Sequence, residues 1–152
     1  MEEKSNIIDM KEMDFSFADE IISYPGGENL RKCFACGSCT AGCPISEIDE
    51  SFSPRRLIRQ ILFGMREEVL SSPTIWFCLL CFRCYAHCPQ QVNFPDLMRV
   101  LRYLAIKNGY AKPEMLDHIQ EIDKRLQILR HDLIKYDIAK HTSAHYQEPS
   151  RE

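Results

Sequence analysis

Apolar residues along this chain recur at helical spacing, and nowhere do they alternate long enough to suggest a strand. Ser16, with Asp19 three residues later, reads as a capping box ahead of Ile21 and Ile22, and Pro25-Gly26-Gly27 ends that helix in a turn. Another short helix is predicted to lead into Cys33. Ser53-Pro54 reads as an N-cap followed by a first-turn proline; Leu57, Ile58, Ile61 and Leu62 follow at helical intervals, and Gly64 marks the stop. A further short helix is predicted over Arg66 to Leu70, after which Ser71-Ser72-Pro73 opens the next segment. Asn93 precedes Phe94, Leu97, Met98, Leu101 and Leu104, an amphipathic helix closing near Asn108-Gly109. From Pro113 the pattern changes: Met115, Ile119, Ile122, Leu126, Leu129, Leu133 and Tyr136 recur at alternating intervals of four and three, a heptad seam.

These elements predict an all-α chain in four parts: an N-terminal helical segment (1–27), a central domain (28–110), a C-terminal amphipathic helix (111–140) and a polar tail (141–152). The seam is longer than a small domain has surface to cover, so the helix is expected to dock on a partner protein; packing on its own domain is the plainer alternative. A length of 152 residues and 45% apolar content suit a folded globular protein. A net charge of -3 gives no support for nucleic acid as a partner. The start, MEEKSNIIDMKEMDF, is acidic and lacks the apolar centre of a secretory signal. The most apolar window, Ile75 to Phe82, falls well short of the roughly 20 residues that span a bilayer. A cytoplasmic protein without direct membrane insertion is expected.

The 8 cysteines change the picture. Cys33, Cys36, Cys39 and Cys43 recur as Cys78, Cys81, Cys84 and Cys88, each shifted by 45 residues. The two copies read CFACGSCTAGCP and CLLCFRCYAHCP, each a C-x2-C-x2-C-x3-C run followed by proline, which is the bacterial ferredoxin pattern. The first three cysteines of such a run lie on a tight loop and converge on three corners of one cubane. In two-cluster ferredoxins the fourth ligates the other cluster. That pattern assigns Cys33, Cys36, Cys39 and Cys88 to a first [4Fe-4S] cluster and Cys78, Cys81, Cys84 and Cys43 to a second. Structural zinc takes its cysteines as separated pairs, a poorer match, and the motifs leave no cysteine over for disulfides. His87 could serve as a ligand in the manner of Rieske centres, but eight thiolates already fill the positions.

Phe34, Ile45, Trp76, Phe77, Leu79, Leu80 and Phe82 are placed to limit water around the thiolates, or simply to form core; Gly37 and Gly42 would let backbone amides approach sulfur. Arg31, Lys32, Arg55, Arg56, Arg59 and Arg83 could offset an anionic cofactor or form a solvated face. Ligation shared between the repeats should make folding depend on cluster insertion. No dinucleotide fingerprint, P-loop or His-Glu-x-x-His motif occurs, so no catalytic residue is assigned and the chain reads as an electron relay. A cysteine-rich module in which metal only staples the fold is the reading of a different class.

CGSCTAGCPI at 36–45, SPRRLIRQILFG at 53–64 and WFCLLCFRCYAHCPQQV at 76–92 closely resemble the iron-sulfur C subunit of heterodisulfide reductase, over roughly residues 28–105. The resemblance implies an alpha-helical ferredoxin domain, shared with the iron-sulfur subunits of succinate dehydrogenase and fumarate reductase. Those relatives normally add a plant-type [2Fe-2S] domain and bind a [3Fe-4S] cluster at one motif, and this sequence shows neither feature. It also implies a relay of electrons from a flavin-containing iron-sulfur subunit to a catalytic one, which reduces the mixed disulfide of coenzymes M and B in methanogenesis. Flavin-based electron bifurcation with hydrogenase or formate dehydrogenase modules belongs to the same picture. The family's catalytic subunit is marked by CCG motifs; this chain has no adjacent cysteine pair, so the disulfide-cleaving site is not expected here. The iron-sulfur subunit of a thiol:fumarate reductase, a succinate dehydrogenase or another oxidoreductase is the alternative.

Overall fold

The computed structural model describes residues 13–141. The first twelve residues of the predicted N-terminal segment, and the predicted tail beyond His141, lie outside the described residues. All regular elements among the described residues are helical: α1 (Phe17–Ile22), a 3-10 turn (Leu30–Lys32), α2 (Ser38–Ala41), α3 (Pro44–Ile48), α4 (Pro54–Leu62), α5 (Arg66–Ser71), a second 3-10 turn (Pro73–Trp76), α6 (Arg83–Ala86), α7 (Phe94–Lys107) and α8 (Glu114–His141). The chain divides into two compact units between Lys112 and Pro113.

In the first unit, α7 supplies the broadest buried surface. Phe94, Leu97, Met98, Leu101, Leu104 and Ala105 share one face at helical spacing, and each is almost completely shielded from solvent. The helix starts where expected: the Asn93 side chain accepts a hydrogen bond from the Asp96 backbone N–H and donates to the Asp96 carboxylate at 2.6 Å. It stops at Asn108, whose side-chain amide donates to the Leu104 carbonyl at 2.7 Å. Around this helix, Leu57, Ile58 and Ile61 of α4, Val69 and Leu70 of α5, and Phe17, Ala18 and Ile21 of α1 complete one apolar core. Leu30 and Ile75, at equivalent places in the two 3-10 turns, bring the approach to each cysteine run into the same core.

Helix α4 is built as the sequence predicts, with the Ser53 hydroxyl accepting from the Arg56 N–H at 3.3 Å and Pro54 in the first turn. Helix α1 is present, but its predicted capping box is not. Asp14 takes the Ser16 hydroxyl at 2.6 Å, and Asp19 instead pairs with Arg31. Asp14 is also held by Arg66, which reaches Glu20 as well and lies 4.6 Å over the Phe17 ring, tying α1 to the start of α5.

The second unit is α8, a helix of 28 residues in which none is buried. Its seam residues Ile122, Leu126, Leu129, Leu133 and Tyr136 are exposed. No helix among the described residues is long and apolar enough to cross a membrane.

Gly64 closes α4 with φ +74°, and its carbonyl accepts from the Asp14 N–H at 2.8 Å. A β-carbon there would lie 2.4 Å from the Asp14 carbonyl oxygen, so alanine meets both left-handed strain and a backbone that cannot give way. Gly64→Ala is therefore expected to destabilise the protein by more than the roughly 1–2 kcal/mol of conformational strain alone. Thermal unfolding measures this, and an unchanged midpoint would contradict the packing described.

Candidate metal centre

The two cysteine runs fold as copies of each other. Ala35 and Leu80, 45 residues apart, have φ of +58° and +51°; Gly37 and Phe82, likewise 45 apart, have +90° and +60°. Left-handed residues therefore flank the second cysteine of each run, and a single helical turn follows, α2 in one and α6 in the other. Such alternation turns consecutive N–H groups toward a common concavity, an arrangement found at anion and iron-sulfur sites. Three of the four strained positions are not glycine, each at a cost of about 1–3 kcal/mol, so the local sequence does not favour this backbone by itself. After the fourth cysteine the copies diverge: Cys43 leads through Pro44 into α3, whereas Cys88-Pro89 turns through Gln91, at φ +53°, toward α7.

The runs enclose two cavities. Cys33, Cys36, Cys39 and Cys88 line the first, and Cys43, Cys78, Cys81 and Cys84 line the second. The fourth cysteine of each run thus lines the other run's cavity. Among the described residues, no three His, Cys, Asp or Glu side chains are gathered so as to hold a single metal ion. Four thiols lining each cavity, three of them from one tight run, suit a polynuclear cluster better than zinc, which takes its cysteines as separated pairs.

Local contacts fasten each cavity. The Asn29 side-chain amide donates to the Gln91 carbonyl at 3.0 Å, joining the approach to Cys33 to the exit from Cys88. The Val92 N–H points at the Cys88 sulfur at 3.3 Å. At the second cavity the holder is Arg102, only 4% exposed. Its Nε donates to the Ile75 carbonyl at 2.9 Å, and its Nη2 donates to the Trp76 and Cys78 carbonyls at 3.2 and 2.7 Å. Phe94 lines both cavities, is 1% exposed, and meets Phe52 edge to face at 6.3 Å.

Burial pushes the Cys84 thiol up to about 12, the neighbouring Cys78 adding to it, and burial likewise raises Cys39 and Cys78. The exposed Cys36 is held below its usual range by the Ser38 hydroxyl, 3.4 Å away, and by the Ser38 N–H. Protein surroundings alone favour the protonated form of Cys39, Cys78 and Cys84. A cationic iron core supplies what desolvation removes, and its binding must release protons. Eight thiols in two groups of four, beneath converging amides, fit two cubanes.

The flanking residues sort themselves differently from the sequence expectation. Of the apolar residues named, Phe34 lines the first cavity and Ile45 and Leu79 the second; Trp76 and Leu80 pack on the core, and Phe77 and Phe82 are exposed. Of the basic residues, Arg55 lines the first cavity and Arg83 the second, whereas Arg31 pairs with Asp19 and Arg59 stacks 4.6 Å over Phe63. Gly37 is needed for its backbone conformation. Gly42 has another role: its missing β-carbon leaves room for the His87 ring, whose Nδ1 would be 2.9 Å from it. His87 lines neither cavity as described. The sequence does not mark Arg102 and Phe94 as site residues by any motif. A weaker signal does exist for Arg102, since a lone arginine on a helix face shared with Met98 and Ala105 needs a buried partner.

Comparison with known proteins agrees with this chemistry. Residues 29–92 match the 4Fe-4S dicluster domain family. The chain is 34% identical over 113 residues to the C subunit of the H(2):CoB-CoM heterodisulfide,ferredoxin reductase of Methanothermobacter marburgensis, covering 74% of this chain and 60% of that protein. It is 36% identical over 114 residues to the C2 subunit of the H(2)/formate:CoB-CoM heterodisulfide,ferredoxin reductase of Methanococcus maripaludis, covering 70% of this chain and 61% of that one. With the C subunit of the ferredoxin:CoB-CoM heterodisulfide reductase of Methanosarcina acetivorans it shares 35% identity over 109 residues, 72% of this chain and 43% of the relative. The chain thus spans about 60% or less of the length of these curated relatives. The cysteine core matches a 4Fe-4S dicluster domain, which carries two [4Fe-4S] clusters, and the homologues of the chain at about 34% identity are iron-sulfur C subunits of heterodisulfide reductase.

Proposed function

We infer that this chain is the electron-relay subunit of a heterodisulfide reductase complex, taking electrons one at a time from a flavin-bearing iron-sulfur partner and delivering them to a CCG-motif catalytic partner. The observation that carries this reading is the pair of four-cysteine cavities sharing one wall at Phe94. When bound, each cubane supplies a one-electron redox site. The protein holds the sulfurs, turns backbone amides toward them and limits water, while Arg55 and Arg83 offset charge at the two cavities. Cys33, Cys36, Cys39 and Cys88 hold one cluster, and Cys78, Cys81, Cys84 and Cys43 the other. The relatives' names support coenzyme B–coenzyme M heterodisulfide as the substrate of the whole assembly, with hydrogenase or formate dehydrogenase modules as electron sources. A cytoplasmic site of action belongs to the same reading.

Helix α8 is the docking element in this reading. Its heptad seam is exposed along Ile122, Leu126, Leu129 and Leu133, and a partner protein offers the apolar surface to cover it.

Anaerobic reduction followed by electron paramagnetic resonance tests the relay: two interacting [4Fe-4S]+ signals are expected, and a colourless zinc-bearing protein would end the proposal. The same spectra test ligand sharing, because Cys43→Ala should reproduce the changes of Cys81→Ala. If they instead match those of Cys36→Ala, each run holds its own cluster. Truncation after Lys112 is expected to spare iron content but weaken co-purification with the partner proteins; undiminished co-purification would contradict a docking role.

A further inference from the structure

Arg102 is the buried cation of the fold's central helix, and it does for the second cysteine run what no residue does for the first among the contacts of the described residues. The two runs share backbone conformation at positions 35 and 80 and at 37 and 82, and their 3-10 turns bury equivalent residues, Leu30 and Ile75. Their supports differ. Near Cys33 the approach is tied down by a neutral side chain, Asn29, bonded to Gln91. Near Cys78 it is gripped by a guanidinium that donates to the carbonyls of Ile75, Trp76 and Cys78 itself, at 2.9, 3.2 and 2.7 Å. The same group lies 5.7 Å from the Trp76 ring centre, within cation-π range.

This grip has two physical consequences. A planar, always-charged fork bonded to three carbonyls fixes the path of residues 75–78, and hence where the Cys78 sulfur stands. It also places a positive charge in a poorly solvated position, one hydrogen bond from the backbone carbonyl of the cysteine that bears that sulfur. There, screening is weak. A nearby cation stabilises the reduced, more negative form of an iron-sulfur cluster more than the oxidised form, and so raises its potential.

We propose that Arg102 is a positioning residue specific to the Cys78 cluster, holding its first ligand and raising its potential relative to the Cys33 cluster, so that the two repeats present unequal redox sites. The proposal rests on the two-cluster reading above. It sets an order to the pair: an electron on this chain resides preferentially at the Cys78 cluster.

The test is an anaerobic redox titration of the full-length, iron-loaded chain, followed by electron paramagnetic resonance and accompanied by iron analysis. It compares the native protein with Arg102→Gln and Arg102→Lys. A native protein without two clusters would defeat the two-cluster reading itself, independently of Arg102. Given two clusters, Arg102→Gln should move one midpoint to lower potential and leave the other in place. Arg102→Lys, which keeps the charge but loses the planar fork, should restore most of that shift. Loss of half the iron from Arg102→Gln, with the other cluster's signal intact, also supports the assignment. Unchanged midpoints, equal shifts of both clusters, a lysine variant shifted as far as the glutamine one, or loss of both clusters would each overturn it.

Discussion

Everything in the first unit follows from bringing the last cysteine of each run to the cavity of the other. Two stretches of chain 45 residues apart must lie side by side, with Cys88 returning to the Cys33 loop and Cys43 reaching the Cys78 loop. The helices between and around the runs serve this closure. Thr40, on the turn inside the first run, accepts a hydrogen bond from the Arg55 N–H at 3.1 Å and so anchors the start of α4 to that run. Helix α7 begins with Phe94 in the wall between the cavities and carries Arg102 two turns later to grip the approach to Cys78.

The same closure explains why the backbone tolerates strain. Ala35, Leu80 and Phe82 hold left-handed conformations that side chains disfavour, and burial keeps several thiols protonated when considered without iron. Both penalties are offset by one event, the bonding of thiolates to iron beneath the amides that the strained turns expose. A core built around Leu97, Met98, Leu101 and Leu104 gives the loops a rigid floor, but the loops' own conformations make sense only with clusters in place.

Much of this was legible in the sequence because it rests on periodicity and spacing. The faces of α4, α7 and α8, the caps at Ser53 and Asn93, and the two cysteine runs all carry local signals. What escaped notice depends on residues brought together by the fold. The Ser16 hydroxyl was free to serve a capping box until Asp14, steadied by Arg66 from α5, claimed it. Gly37 announces a left-handed turn, but its counterpart Phe82 does not, since only the repeat relation reveals it. The aromatic residues near the motifs could be named but not sorted, because the folded path of the loops decides that Phe34, though exposed, borders a cavity while Phe77 borders neither. The role of Arg102 required a tertiary contact across 24 residues, to Cys78.

The central claim is that the repeats share their ligands, and the most direct test is to locate iron. Crystals of the anaerobically prepared, iron-loaded chain should give two compact peaks of anomalous density at the iron edge. One should lie among Cys33, Cys36, Cys39 and Cys88, and the other among Cys43, Cys78, Cys81 and Cys84. Iron bound by four cysteines of a single run, or a single iron site serving the whole domain, would contradict the account.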